Sequence, residues 1–545
     1  MGRGDVSCCK AAACGSRALR VALTLSLCLV TSACLPGLPG FGSDDVGEAS
    51  LAPTEGPTAS STRSGKASFL SNLQPSAAAP ASDVPAPTSG WAAQPAASGR
   101  PQAVALAVTP EPDEPQRSVE APIAPPAVAL GNFYAALAAL ANGQRTEPVT
   151  VLHLGDDHIA LDQFTSDLRA QFQSRFGDAG RGLLTPGVFP AQGVKFDRGG
   201  AWTLRNSAGG DDGLYGITGL RLETSAPDAW VRLNHLRGNF DTLDITFATA
   251  PAYGTAVVVI DGEPKLIPTS ADRAGRTSIR VSGQAREVVV RPRGDGPIAL
   301  LSISIGMERS GVRYINLGLP GATAATPGKW NTQFVAADLA AVRPDLIVLS
   351  YGTREGFIDK LDLREYELRV SLLVQQLREL APQSSFLLLG PPDAARLPAF
   401  AAGRGGQACR GLSAREISQY RRMMKSEDRK LARWHAPPML DGVRTTLRSV
   451  ASAHDAYFWD WSKMMGGPCS IHAWVHATPP LAAPDHMTLT PAGAERAARA
   501  LFIELMNGYE AFRQMQPAPS AKVAPPVSGA KPARAAQKPE RQRAN

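Results

Sequence analysis

Residues 149–176 place the tightest limit on what this chain can fold into. Residues 149–154 are a short, largely apolar run of the kind that forms a strand buried on both faces. After the polar turn from Gly155 to His158, apolar residues recur every three to four positions as far as Phe176, and Gly177 follows. This pattern predicts an amphipathic helix that ends at a glycine. A strand, a sharp turn and a helix place the turn at the carboxyl edge of a sheet, where α/β proteins carry their chemistry.

The same alternation of strands and helices resumes after about residue 306. Strands are predicted over residues 314–317, 345–349, 385–389 and 456–460. Helices are predicted over residues 133–142, 332–342, 363–380 and 417–434, and from Pro491 behind the cap Thr490. Such an order predicts a parallel sheet with helices on both faces, a flavodoxin-like three-layer α/β fold.

Residues 192–306 interrupt this alternation, because the helical period disappears and short alternating runs replace it. The runs cover residues 219–223, 230–233, 243–247, 256–260, 277–281, 288–291 and 298–305. Asp261-Gly262 follows the fourth run and is typical of a hairpin turn. Strands of this length and spacing predict an antiparallel β-sandwich, jelly-roll-like, inserted into the α/β domain.

The two ends of the chain differ in composition from the body. Residues 1–34 hold basic residues, then a short apolar run, then small residues before Cys34, the order of an export signal. The run is too short to span a bilayer comfortably, so no transmembrane helix is predicted once the signal is removed. Lipidation at Cys34 and simple cleavage nearby are equal alternatives. Either one places the protein in the periplasm or cell envelope, tethered or free.

Low-complexity segments flank the folded part. Residues 35–126 are rich in Pro, Ala, Ser and Gly and predict a disordered tether. Residues 515–545 predict a disordered tail with six basic residues against one acidic residue, which holds much of the chain's net charge of +7. Basicity confined to such ends is weak support for nucleic-acid binding, and no nucleic-acid partner is predicted. The tail is either a solvated segment or a contact for an anionic envelope polymer.

Only two of the seven cysteines, Cys409 and Cys469, lie in the folded body, since the other five precede Leu35. In an exported protein, two cysteines in the folded region predict one disulfide. Two buried free thiols are the alternative.

The turn and its neighbours carry a resemblance to a known family. Gly155-Asp-Asp-His-Ile159 after a strand resembles the first block of the SGNH (GDSL-like) esterases, in which serine stands at the position of Asp157. The Phe-Gly-Asp-Ala-Gly-Arg-Gly run at residues 176–182 is similar to the peptidoglycan O-acetyl esterase branch. The resemblance implies an SGNH α/β domain over residues 127–191 and 307–514, with residues 192–306 as a carbohydrate-binding-module-like β domain.

The other family blocks match in outline, but their catalytic positions have changed. Gly321 matches the glycine whose backbone N–H helps to hold the oxyanion. In Gly-Thr-Arg-Glu at residues 352–355, Arg354 replaces the oxyanion asparagine. The last block keeps Asp485, the aspartate that orients the base, but has Thr488 where the histidine belongs.

These replacements predict that ester hydrolysis by the family's route is lost. Acyl transfer needs a nucleophile, a base in hydrogen-bond reach and aimed oxyanion donors. Asp157 is already ionised, and Thr488 is no base near neutral pH. Arg354 is expected to form a charge-assisted pair with Asp157, which would either plug the pocket or offer a charged binding site. The predicted function is binding of cell-wall polysaccharide or exopolysaccharide glycan, or of an envelope partner protein, without a cofactor.

The competing hypothesis is an active carbohydrate esterase or O-acetyltransferase with a rearranged site. It requires His158 or His486 to act as a displaced base beside Asp157. His472 and His476 are spaced as a metal-binding pair, but the sequence shows neither the glutamate of His-Glu-x-x-His nor a third ligand, so no metal is predicted.

Three aromatic residues in the insert have two interpretations. Trp202, Tyr215 and Trp230 could stack on sugars, or they could belong to the sandwich core. The core interpretation is favoured.

Overall fold

The structure, a computed structural model, describes residues 124–187, 191–210, 213–402 and 408–516. The predicted export signal with Cys34, nearly all of the predicted tether and the tail beyond residue 516 lie outside the described residues. Within the described ranges, no helix combines the length and apolar character needed to cross a membrane.

Strands and helices follow one another along the described chain. The strands are β1 Val149–Gly155, β2 Gly182–Leu184, β3 Val194–Gly199, β4 Thr203–Asn206, β5 Leu220–Thr224, β6 Trp230–His235, β7 Phe240–Thr249, β8 Thr255–Ile260, β9 Glu263–Pro268, β10 Gly275–Ala285, β11 Glu287–Pro292, β12 Ile298–Gly306, β13 Val312–Gly318, β14 Leu346–Ser350, β15 Ser385–Gly390 and β16 Tyr457–Asp460. The helices are α1 Pro126–Ala129, α2 Gly131–Ala141, α3 Asp157–Ala160, α4 Gln163–Phe176, α5 Thr332–Val342, α6 Thr353–Gly356, α7 Leu363–Leu380, α8 Ala414–Lys425, α9 Leu440–Ala453, α10 Trp461–Met465, α11 Ser470–Val475 and α12 Pro491–Met515.

Five strands form the parallel sheet that the sequence predicts. Their spatial order is β13-β1-β14-β15-β16, and every neighbouring pair is parallel. Numbered by their succession along the chain, these strands run 2-1-3-4-5, which is the flavodoxin-like order. The prediction of an α/β fold is therefore confirmed.

Helices cover both faces of this sheet, so the α/β part has three layers. Successive side chains of β1 point to opposite faces: Val149 and Val151 pack with α2, α4 and α12, whereas Leu152 and Leu154 pack with α5, α7 and α9. Because both faces are apolar, the strand reads as a nearly continuous apolar run in the sequence.

The part of the chain that connects β1 to β13 forms two antiparallel sheets. One has the order β10-β7-β12-β5-β4 with β2 paired to β12, and the other has the order β3-β6-β11-β8-β9. Their facing side chains share one apolar cluster, with Ile245 and Leu300 from the first sheet and Val258 and Val290 from the second. The predicted turn at Asp261-Gly262 has positive φ at both residues, as a tight hairpin requires. The jelly-roll-like topology remains a prediction.

Residues 417–434 do not form the single long helix that their periodicity predicts. Helix α8 begins earlier, because Ser413 and Glu416 form a capping box, and it ends at Lys425. Glu427 then adopts a left-handed φ of 50°, and Asp428 caps a separate short 3-10 turn. A local cap and a left-handed residue outweigh the periodic pattern here, and the prediction of one helix was wrong.

The predicted helix after β1 is also divided, and a buried charge network marks the break. Asp162 separates α3 from α4 with a left-handed φ of 52°. Its carboxylate accepts hydrogen bonds from Arg169 Nη2 at 2.8 Å and from the backbone N–H of Gln192 at 2.9 Å, and it forms an ion pair with Arg181 at 3.3 Å. Asp162 thus connects the α/β body to the start of the antiparallel region.

Candidate functional site

The residues at the family's catalytic positions meet at the carboxyl edge of the parallel sheet. Asp157 opens α3 directly after β1, Gly321 follows β13, and Arg354 lies in α6 after β14. These three strands are neighbours in the sheet, so the turns that follow them converge on one point.

The Asp157 carboxylate contacts both of the other residues at this point. Its Oδ2 accepts a hydrogen bond from the backbone N–H of Gly321 at 3.2 Å and lies 3.6 Å from Arg354 Nε. Gly321 has a φ of +81°, a conformation that favours glycine, and this presents its N–H to the turn. The donor that would stabilise a developing negative charge is therefore engaged by a permanent one.

The last block forms a turn that satisfies its own polar groups. Thr488 donates its hydroxyl to Asp485 Oδ2 at 2.6 Å, and the backbone N–H groups of Met487 and Thr488 both donate to Oδ1 at 2.9 Å. Partial burial would raise the pKa of Asp485, but these hydrogen bonds outweigh it and hold the pKa below its ordinary value. The carboxylate that would orient a histidine instead stabilises the loop.

His158 lies in the cleft with an acceptor beside each ring nitrogen. Its Nδ1 lies 3.3 Å from Asp156 Oδ1, and its Nε2 lies 3.1 Å from the carbonyl oxygen of Met487. Both partners only accept hydrogen bonds, so the ring is suited to the doubly protonated form. Burial alone would lower the pKa of His158, but Asp156 and the other acceptors raise it above its ordinary value.

His486 faces away from Asp157. Its Nδ1 lies 2.9 Å from the carbonyl oxygen of Pro484, and its Nε2 lies 2.8 Å from His472 Nδ1. The ring stacks on Trp434 with centroids 3.5 Å apart. All eight histidines of the chain lie among the described residues, and none of them forms a hydrogen bond or ion pair with Asp157 there.

The cleft beside Asp157 is an open cavity of about 600 Å³ with an apolar floor and a charged rim. Its lining consists of Asp156, Asp157, His158, Ala160, Leu161, Gln163, Phe164, Pro320, Thr353, Arg354, Phe357, Ile358, Trp461, Met487, Thr488, Leu489 and Ala494. Phe164 stacks on Trp461 in the floor, with centroids 4.5 Å apart. Asp157 and Arg354 remain about half exposed, so the pair does not fill the cavity, and the charged binding site remains a prediction.

Glu355, next to Arg354, is a buried carboxyl that the sequence analysis did not single out. Its Oε1 accepts a hydrogen bond from the backbone N–H of Ala324 at 2.7 Å, whereas Oε2 has no partner among the described residues. Burial raises the pKa of Glu355 to about 7 from an ordinary value of 4.5. The folded protein therefore holds this proton in a pH range where the unfolded chain has released it.

We expect the free energy of unfolding to fall as pH rises between about 4.5 and 7, because the unfolded state binds fewer protons at Glu355 in that range. Between pH 5 and pH 8 this carboxyl should account for a loss of about 2 to 3 kcal/mol. Glu355→Gln should remove that loss, so the free energy of unfolding of the variant, relative to that of the wild type, should increase with pH. Urea unfolding at both pH values measures it. Exposed Glu367→Gln is the matched control and should change nothing.

The three aromatic residues of the insert do not form a common platform. Tyr215 is buried in a cluster of the α/β body, so it lies neither in the sandwich core nor on a surface that could stack on a sugar. Trp202 and Trp230 are half-buried. The Trp202 indole donates a hydrogen bond to Gly199 O at 3.1 Å, and the Arg232 guanidinium lies 5.1 Å from the Trp230 ring centroid.

A disulfide and a histidine cluster lie beside the cleft. Cys409 and Cys469 are joined by a disulfide. His472 and His476 lie one helical turn apart, and the fold brings His486 to them, so that one ligand atom from each of the three rings lies within 4.8 Å of the others. The fold therefore brings a third imidazole close to the pair, although no spacing in the sequence indicates it.

The comparison with a solved structure shows that the fold is SGNH hydrolase-like. A peptidoglycan O-acetylesterase, captured in action at 5 min, matches with a TM-score of 0.56 and 23% identity over 70% of this chain and 96% of that chain. A salicylyl-acyltransferase from a tetracycline biosynthetic pathway matches with a TM-score of 0.25 and 13% identity, over 60% and 96% of the two chains. A family two carbohydrate esterase from Clostridium thermocellum in complex with cellohexaose gives 0.22 and 10%, over 53% and 95%. No family profile and no curated protein matches the sequence.

Proposed function

We propose that this chain is an exported cell-envelope protein that binds a polysaccharide in the cleft of a hydrolase-like body and does not hydrolyse esters. One observation carries this proposal: the Asp157 carboxylate accepts the Gly321 N–H and pairs with Arg354, while no histidine of the described residues forms a hydrogen bond or ion pair with it. Hydrolysis would need a nucleophile, a base and a free oxyanion donor at this position, and an ion pair is found there instead.

Each catalytic role is blocked by a separate contact. Proton removal cannot activate a carboxylate that is already ionised, and a carboxylate bound to the Gly321 N–H leaves that donor engaged. Thr488 stands where the base belongs, but its hydroxyl donates to Asp485 and is no base near neutral pH. His158 holds acceptors at both ring nitrogens. An esterase acting through this cleft would have to break all of these contacts.

The composition of the cleft supports a sugar ligand. Ring C–H faces of a glycan pack well on apolar and aromatic side chains such as Phe357 and Ile358, and hydroxyl groups can hydrogen-bond to a charged rim such as Asp157 and Arg354. Leu161, Ile358 and Met487 are large apolar side chains that remain exposed and line this one cavity. Grouped exposure of this kind is typical of a binding site. A volume of about 600 Å³ is within the usual range for ligand pockets.

Two further observations support a location in the envelope. The basic, apolar and small-residue order of residues 1–34 is that of an export signal, and a disulfide in the body suits an oxidising compartment.

The solved structure that matches with a TM-score of 0.56 is named for its action on peptidoglycan. We accordingly take a cell-wall or exopolysaccharide glycan as the ligand, with residues 192–306 as a carbohydrate-binding-module-like region. Lipidation at Cys34 would anchor the protein there.

A charge placed in the cleft should weaken glycan binding. Ile358→Asp is expected to reduce binding about tenfold or more, because a carboxylate would have to lose water against the apolar ligand face. Sedimentation with insoluble peptidoglycan and affinity electrophoresis in soluble polysaccharides measure the effect. Chains ending at residue 516 exclude any contribution from the basic tail.

Ile417→Asp is the matched control, since Ile417 is similarly exposed but lies on α8, outside both the cleft lining and residues 192–306. It should bind as the wild type does. Equal binding by wild type and Ile358→Asp on every glycan, or capture of an envelope protein but of no glycan, would exclude the cleft as a polysaccharide site.

A further inference from the structure

The histidine cluster beside the cleft has the chemistry of a metal site. His472 and His476 lie one turn apart on and just after α11, and His486 approaches them from the loop before α12. A ligand atom from each ring lies within 4.8 Å of the other two, and the shortest approach is 2.8 Å between His472 Nδ1 and His486 Nε2. Three imidazoles around one ion need their nitrogens roughly 3.4 Å apart in tetrahedral geometry. Small side-chain rotations would bring them to that spacing.

His486 is already held in the orientation of a ligand. Its Nδ1–H donates to the carbonyl oxygen of Pro484 at 2.9 Å, which leaves the lone pair of Nε2 directed at His472. A histidine that binds metal commonly gives its other N–H to a carbonyl in this way, and the contact fixes both tautomer and ring plane. The Trp434 indole stacks on the opposite face at 3.5 Å. The backbone of His486 is left-handed, with a φ of 56°, which is a costly conformation for a residue other than glycine.

The two elements that present the rings are fastened together. Cys469 immediately precedes α11, which carries His472, and is bonded to Cys409. The neighbour of Cys409, Arg410, donates its backbone N–H to the carbonyl of Trp434 at 3.0 Å. The disulfide therefore connects the helix of His472 to the ring that supports His486. Such a scaffold keeps ligands close together before an ion arrives, which lowers the cost of binding it.

We propose that His472, His476 and His486 bind one divalent transition-metal ion of the zinc class through three imidazole nitrogens. The cluster contains no carboxylate, and imidazole ligands suit zinc, copper or nickel, whereas magnesium and calcium prefer oxygen. His476 is exposed, so solvent can supply the fourth ligand. When Nδ1 of His472 binds the ion, the proton on that nitrogen moves to Nε2, and the ring remains neutral.

The ion would fix one wall of the cleft. Met487 and Thr488 directly follow His486 and line the cavity, and the carbonyl of Met487 contacts His158. With His486 bound to the ion, the turn between Pro484 and Thr488 is tied to α11. The proposal does not depend on what the cleft binds.

The test uses the untagged full-length chain, stripped with chelator, with the thiols of the five cysteines before Leu35 alkylated. Calorimetric titration with Zn²⁺ should give one equivalent bound, and Co²⁺ should give the visible absorption of a four-coordinate site. Mg²⁺ should not bind at the cluster. His476→Ala, at an exposed position, should weaken Zn²⁺ binding about tenfold or more and reduce the rise in Tm that Zn²⁺ gives the wild type.

His454→Ala is the control, because His454 is half-buried and lies outside the cluster, and its affinity should equal that of the wild type. Substoichiometric binding by the wild type, or equal Zn²⁺ affinity and equal Tm shifts for wild type and His476→Ala, would overturn the proposal. Because His476 is exposed, its replacement should leave the fold intact, and circular dichroism of each variant verifies this.

Discussion

The triple variant Asp157→Ser, Arg354→Asn, Thr488→His should hydrolyse p-nitrophenyl acetate at least about 100-fold faster than the wild type. A hydroxyl at position 157 releases the Gly321 N–H from the Asp157 carboxylate, and an imidazole at position 488 gains Asp485 as its orienting partner. A positioned general base contributes about 10² to 10⁴ in rate. The expected gain follows because the strands and turns of the site are already in place.

The matched control replaces Asp157 with alanine and keeps the other two changes. It has the base and the amide but no nucleophile, so it should remain at the wild-type rate. Equal rates for the alanine and serine versions, with both variants folded, would mean that more than these three groups separates this cleft from an esterase.

Asp162→Asn should lower the free energy of unfolding by about 3 to 5 kcal/mol, since it leaves two buried arginines without their counter-charge. Arg169 and Arg181 are both buried against this carboxylate. Burial alone would raise the pKa of Asp162, but these charges and its hydrogen bonds lower it to about 2. The wild type should therefore lose about 2 kcal/mol of this stability as pH falls from about 3.8 toward 2, whereas the variant lacks it throughout. Urea unfolding at pH 7 and at low pH measures both effects.

Asp244→Asn provides the comparison, because Asp244 pairs with Arg280 at 2.7 Å on the surface. Exposed pairs contribute at most about 1 kcal/mol. An Asp162→Asn cost no larger than that of Asp244→Asn would show that burial of the network contributes little.

The sequence predicted the α/β architecture because its elements follow from short-range pattern. The buried strand β1 reads as an apolar run, and the cap at Thr490 with Pro491 correctly marks the start of α12. The predictions of helices were wrong where one residue interrupts a helical period. Asp162 divides the first helix because its carboxylate serves a long-range charge network, and Glu427 ends α8 within a sequence that continues to look helical. Only the second interruption has a local signal, in the capping residues Ser413, Glu416 and Asp428.

The site was predictable as far as the resemblance reached. Asp157, Gly321 and Arg354 meet as the family blocks imply, because their strands are neighbours. The other features of the site depend on tertiary contacts. The burial that raises the pKa of Glu355 depends on its surroundings in the fold, and Ile358 belongs to the cleft only through the turn after α6. His486 joins His472 and His476 across a loop, a proximity that no spacing along the chain encodes.

The most direct measurement compares the wild type with Asp157→Ala on p-nitrophenyl acetate and on O-acetylated peptidoglycan. If the ion pair of Asp157 and Arg354 has replaced catalysis, both proteins should release acetate no faster than buffer. Turnover by the wild type that disappears in Asp157→Ala would contradict this, since it would make Asp157 a working nucleophile.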